Sequence, residues 1–182
     1  MADTVRTISA LQTLFANNTD GDISPQDLRD FLVSAEPDRA EIYWSTPAAT
    51  TTSNQATYYK AAGTTTLQTS PAAVNFTMPA NNRLTYTGTP TRLFLVQVHA
   101  SQVTASGSVV VHYRIAVDGT TVSSSEVIRK QNTTPSDVGA FALGTIVSLA
   151  TNSYVELFLK NATSSTTVTV SAGNLLVWGG MD

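Results

Sequence analysis

Ser108-Val-Val-Val-His-Tyr-Arg-Ile-Ala-Val117, then Asp118-Gly119, then Thr120-Thr-Val-Ser-Ser-Ser-Glu-Val-Ile-Arg-Lys130 is the stretch on which the fold turns. Its first arm has the period of two that places alternate side chains on opposite faces of a strand. Asp-Gly is a favoured two-residue hairpin connection because both central positions of that turn need positive φ. Working outward, the same pattern recurs in runs at 62–68, 74–78, 83–87, 92–100, 138–149, 153–160 and 166–178. Pro71, Pro79, Pro90 and Pro135 fall between runs, where a missing N–H costs no ladder bond. Eight or nine short antiparallel strands predict a mainly β chain folded as a β-sandwich, with the jelly roll as the leading form.

Composition agrees. Threonine occurs 29 times and charged residues make up only 13% of the chain. Thr is β-branched and suits a half-buried pleated surface. Few charges leave few devices against edge-to-edge association, which favours closed or oligomeric packing. Three runs are apolar at consecutive positions: Phe94-Leu-Val-Gln-Val98, Leu157-Phe-Leu159 and Leu175-Leu-Val-Trp178. A strand apolar on both faces needs cover on its outer side as well, and a second subunit supplies it. Phe94, Phe158, Leu176 and Trp178 are the candidate oligomer contacts.

The N-terminal part has a different character. Residues 1–41 carry eight acidic and three basic side chains, whereas the remainder carries seven basic and five acidic, within a total of −3. Ile8, Leu11, Leu14 and Phe15 recur at helical spacing, and the pattern stops at the polar run 17–22. Ser24-Pro25-Gln26-Asp27 is a strong helix start, and Leu28, Phe31 and Leu32 form the apolar face that follows, until Glu36-Pro37. Helices this short are marginal alone, so their apolar residues are candidates for docking on a larger particle. Glu41-Ile-Tyr-Trp44 reads as a strand or an anchor, and residues 45–57 as a flexible Thr/Ala/Ser linker. The expected organisation is therefore a helical docking segment 1–44, a linker 45–57 and a sandwich 58–182.

Catalytic and cofactor signatures are absent from the sequence. With no Cys, disulfides and thiolate metal sites are excluded. Aligning Asp20-Gly21-Asp22 with a calcium loop puts Ala16 and Asp27 at the first and last ligand positions, where a carboxylate and a bidentate Glu are usual; a polar turn followed by a helix cap explains the same residues. His99 and His112 are the sole histidines, read as exposed or hydrogen-bonded strand residues. Neither a nucleophile elbow nor a phosphate-binding Gly loop occurs. The expectation is a protein that is not an enzyme, takes no cofactor, and partners neither nucleic acid nor membrane. No apolar run of signal-peptide or membrane-spanning length occurs, which implies folding in a cytoplasm.

Phe76-Thr-Met-Pro-Ala-Asn-Asn-Arg-Leu-Thr-Tyr-Thr-Gly-Thr-Pro-Thr-Arg-Leu-Phe-Leu-Val96 and Tyr154-Val-Glu-Leu-Phe-Leu-Lys-Asn161 with Asn174-Leu-Leu-Val-Trp178 resemble the opening and closing strands of small β domains in tailed-phage fibre and head-decoration proteins. Those domains are similar to the trimeric jelly roll of the tumour necrosis factor and complement globular-head families. Residues 13–33 resemble a segment found near the start of phage virion proteins. The resemblance implies a homotrimeric virion structural protein. Its place would be as a capsid decoration (cement) or head-fibre protein, assembled in the host cytoplasm and held by the major capsid protein or another virion protein. It also places Trp178 near a three-fold axis. The other function it allows is a tail-fibre or baseplate module whose loops bind a host glycan, with Tyr58, Tyr59, Tyr86 and Tyr113 as available aromatics.

Overall fold

The alternation read from the sequence closes into two antiparallel sheets in the computed structural model, which describes residues 6–15, 23–132 and 138–181. Strands are numbered along the chain. The front sheet runs β11 (Gly139–Leu149), β7 (Arg92–Thr104), β13 (Val168–Met181), β1 (Asp38–Pro47), β4 (Gly63–Leu67), with β2 (Ala49–Thr50) also on β13. The back sheet runs β10 (Val127–Gln131), β8 (Val109–Val117), β12 (Tyr154–Asn161), β6 (Leu84–Tyr86), β5 (Phe76–Thr77), with β3 (Tyr59–Lys60) on β12 and β9 (Thr120–Thr121) on β8. Neighbours are mostly non-consecutive in sequence, as a jelly roll requires. The Asp118-Gly119 turn has φ of 50° and 78°, and Val117 pairs with Thr120 across it. The expected run 120–130, sixth in chain order, divides into β9 and β10 around a 3-10 turn at Ser123–Ser125.

The ladder between β7 and β13 sets which side chains face inward. Phe94, Val96 and Val98 are buried, while Leu93 and Leu95 point out. Phe94 is therefore a core residue and not an oligomer contact. Its ring lies 5.3 Å from that of Phe76 and 4.9 Å from that of Tyr86, both tilted edge-on. Tyr113 of the back sheet stacks on Phe141 of the front sheet at 3.8 Å and ties the layers together. Such aromatic pairs add to the hydrophobic burial that holds the two sheets face to face.

Residues 38–50 correct the expected division of the chain. Asp38–Pro47 is a strand between β13 and β4, so a boundary at 44/45 falls inside the sheet. Ala40, Ile42 and Trp44 point into the core, and the Trp44 indole N–H donates to Ala62 O at 3.1 Å. Residues 45–57 are not a free spacer: Thr50 and Thr52 are buried, and Thr52 Oγ1 donates to Thr166 O at 2.6 Å. The helices α1 (Ile8–Phe15) and α2 (Pro25–Ala35) precede β1 with only Glu36-Pro37 between. The start of α2 is as read, a capping box in which Ser24 Oγ accepts from Asp27 N–H and Asp27 accepts from Ser24 N–H.

A buried polar chain fastens α1 and α2, the expected N-terminal helical hairpin, to the sandwich. Asp38 accepts from Asn75 at 2.6 Å, from Tyr86 Oη at 3.2 Å and from Arg92 Nη1 at 3.2 Å. Arg92 Nη2 donates to Arg6 O at 3.1 Å, and Arg6 in turn pairs with the buried Asp30 of α2 at 2.8 Å. Gly180, at φ +90°, passes over the Asp38–Arg92 pair. A Cβ there would stand 2.9 Å from Asp38 Oδ2.

Asn82 closes the gap on β12 between β6 and β3. Buried and at φ 50°, it accepts from Leu157 N–H at 3.1 Å and donates to Leu157 O at 2.9 Å and Ala61 O at 3.0 Å, standing in for a missing strand residue. Asn82→Ala leaves the Leu157 N–H buried without its acceptor and is expected to cost about 1–3 kcal/mol in urea unfolding. Asn82→Gly relieves the positive φ but loses the same amide, so its expected loss is similar. A neutral Gly variant would show that the amide contributes nothing.

Candidate functional site

The two outer faces of the sandwich have opposite chemistry. On the front sheet, Leu93, Leu95, Gln97 and His99 of β7 alternate with the buried set. Register places Ile146, Leu95 and Trp178 in one row, Gly144, Gln97 and Leu176 in the next, and Ala142, His99 and Asn174 in the third. From β7, β11 and β13 no Asp, Glu, Lys or Arg side chain reaches this face. Ile146 is 63% exposed and Trp178 46%, and with Leu93 and Leu95 they form one contiguous apolar group. A hollow of about 270 Å³ opens among Leu93, Leu95, Ile146 and Trp178. Charge returns only at β1, where the Arg39 guanidinium lies 6.0 Å from the Trp178 ring and Glu41 accepts from Asn174 at 2.6 Å.

Leu176 and Trp178 therefore share the expected contact face, with Leu176 half-buried. Phe158 does not. It lies half-buried on the outer face of the back sheet, in register with Lys60 on one side and Arg114 on the other. Leu95 and Ile146, which complete the apolar row, went unselected because sequence alone cannot tell which of two adjacent apolar residues faces out.

On the hairpin, Leu28 (55%), Phe31 (41%) and Leu32 (61%) are exposed, as docking residues must be. Leu11 is buried and is removed from that set; it lines a groove with Phe31, Pro37 and Arg92 where the hairpin meets the sandwich. The side chains of Ile8, Leu14 and Phe15 lie outside the described residues, as does the Asp20-Gly21-Asp22 turn. Among the described residues no cluster of three or more His, Asp or Glu is placed to hold a metal ion. Among the same residues no helix is long and apolar enough to cross a membrane.

The back-sheet face is charged. Glu126 Oε1 accepts from the Tyr58 hydroxyl, lies 2.9 Å from His112 Nδ1 and 3.2 Å from Arg114 Nη2. Arg114 and Lys160 sit over the Tyr58 ring at 4.6 and 4.8 Å. The Tyr58 hydrogen bond, then those of His112 and Arg114, hold the Glu126 carboxyl down at about 2. Burial and the same hydrogen bond raise the Tyr58 hydroxyl. Glu156, 2% exposed, takes Lys60 at 2.7 Å and Arg83 at 2.8 Å on one oxygen, and Arg83 covers the Tyr154 ring at 3.8 Å. Of the four tyrosines picked out in the sequence, Tyr86 and Tyr113 are core residues, and Tyr58 and Tyr59 are half-buried.

A depressed carboxyl stabilises the fold above its unfolded value and loses that contribution as pH falls through the folded one. Between the ordinary Glu value of 4.5 and about 2, protonation of Glu126 should therefore lower the melting temperature. Glu126→Gln should be less stable than the wild type at neutral pH and show a flatter decline over that window. Parallel melting curves of the two proteins down to pH 2 would contradict the assignment.

No family model matches this chain, and no curated protein sequence matches it. Solved structures do. Murine APRIL, in a crystal at pH 8.0, superposes with a TM-score of 0.50 and 8% identity over 78% of this chain and 99% of its own. Eiger TNF from S. frugiperda superposes with a TM-score of 0.50 and 9% identity over 80% of this chain and 94% of its own. Identity at this level shows the fold alone: the sandwich is a TNF-like jelly roll.

Proposed function

We propose that this chain is a non-catalytic virion structural protein, a homotrimer closed through the outer face of the front sheet. In this reading it is held on a phage capsid, as a decoration or head-fibre protein, by the helical hairpin. The observation that carries self-association is the row Ile146–Leu95–Trp178 with the two rows beside it, free of Asp, Glu, Lys and Arg and facing outward on the single chain. Apolar patches of this extent on soluble proteins mark contact surfaces. A copy of the same chain is the simplest partner, and a ring of three buries one such face from each subunit. The TNF-like fold and the sequence resemblance to trimeric virion domains support three as the number.

The hairpin supports the docking role by its position. It is anchored to the sandwich through Asp30, Arg6, Arg92 and Asp38, yet Leu28 and Leu32 remain outside. The placement on a capsid rests on the resemblance of residues 13–33 to virion proteins.

Light scattering of the intact chain is expected to give about three times the 19.3 kDa chain mass. Leu95→Asp, which puts an unpaired charge into the centre of a dry contact, should weaken assembly by about a hundredfold or more. A wild-type monomer, or a Leu95→Asp protein with unchanged mass at micromolar concentration, would overturn the interface.

Leu28→Asp/Leu32→Asp alters two exposed positions and should leave folding within about 0.5 kcal/mol of wild type. The same variant should fail to co-sediment with capsids assembled without the protein. Retained wild-type occupancy would remove the hairpin from the docking role.

A further inference from the structure

We propose that the outer face of the back sheet binds an acidic polysaccharide, a chain bearing sulfate or carboxylate groups. Five permanent cations reach this face: Lys60, Arg83, Arg114, Lys130 and Lys160. Two carboxylates, Glu126 and Glu156, oppose them. The whole chain carries −3, so this surplus is a matter of placement rather than of overall composition. The acidic residues are concentrated before position 42, and the sheet register gathers the cations of the later part onto one face.

The cations are held in position. Glu156 fixes Lys60 and Arg83 through one buried oxygen, and Glu126 fixes Arg114. Lys160 stands over the Tyr58 ring, and Lys130 is exposed at the β10 edge; neither has a carboxylate partner among the described residues. Phe158 lies between Lys60 and Arg114 as a small apolar step. Fixed cations beside an apolar step match a chain of rings that carry anionic groups.

Charge alone would also admit single-stranded nucleic acid. That class of ligand is recognised by stacking bases on open aromatic faces. Here Arg83 covers Tyr154, and Arg114 and Lys160 cover Tyr58, so those faces are already occupied. The inference does not depend on the self-association proposed above, because it uses the opposite face of the sandwich.

The test is binding of the intact protein at low salt to immobilised heparin, alginate, neutral dextran and poly(dT). Retention on heparin or alginate, none on dextran, and release with rising salt are expected. Lys130→Glu/Lys160→Glu should weaken polysaccharide binding about tenfold or more with the oligomer mass unchanged. Lys130→Ala/Lys160→Ala, which introduces no new charge, should weaken it in the same direction. Failure to bind either acidic polysaccharide, wild-type binding by the Ala pair, or tighter binding to poly(dT) than to both would overturn the proposal.

Discussion

The parity of the β7–β13 ladder is the constraint on which the rest of this molecule depends. Leu95 opposite Trp178 and Val96 opposite Val177 put one apolar set in the core and a second on the outside. A shift of one residue would exchange them, bringing Phe94 to the surface and Gln97 and His99 into the core. The buried aromatic cluster of Phe76, Tyr86 and Phe94 penalises that exchange heavily, and so fixes which residues the front face presents. Interior packing and the candidate interface are thus two sides of one register.

The same logic separates the two outer faces. β7, β11 and β13 place no charge outside, while β3, β8, β10 and β12 and the Arg83 and Glu126 side chains give the back sheet five cations and two carboxylates. Two sheets of one sandwich, built from the same Thr- and Val-rich composition, thus present a face without Asp, Glu, Lys or Arg on one side and a charged face on the other. The Asp38–Arg92 pair stands at the end of the sandwich where the hairpin is attached, and the resulting chain of hydrogen bonds makes the hairpin part of the folded body. Helices fastened in this way present Leu28 and Leu32 in a defined direction rather than on a free tether.

Much of this was legible in the sequence. Asp118-Gly119 marked its hairpin because few dipeptides tolerate two positive φ angles, and Ser24-Pro25 marked the start of α2 because capping chemistry is local. Strand β1 was harder. Ala40, Ile42 and Trp44 alternate correctly, but Arg39 before them, Glu41 among them and the uncharged run after Trp44 read as the end of a polar module. Phe94 against Leu95 was undecidable, since two adjacent apolar residues carry no information about parity. Phe158 groups with Leu176 and Trp178 by its apolar neighbours alone, and only the sheet order reveals that β12 lies in the other layer. Asn82 gave no signal, because a loop amide acquires its role only when Leu157, 75 residues away, arrives beside it.

The central claim is that a second copy covers the front face, and the two tryptophans offer a direct reading of it. Trp44 is buried in the core and Trp178 is 46% exposed on the single chain. In a Trp44→Phe background the emission of Trp178 can be challenged with acrylamide at rising protein concentration. The account predicts that Trp178 is shielded in the assembled protein and becomes quenchable on dilution. Free quenching that is independent of concentration would mean that this face meets water, and would contradict the account.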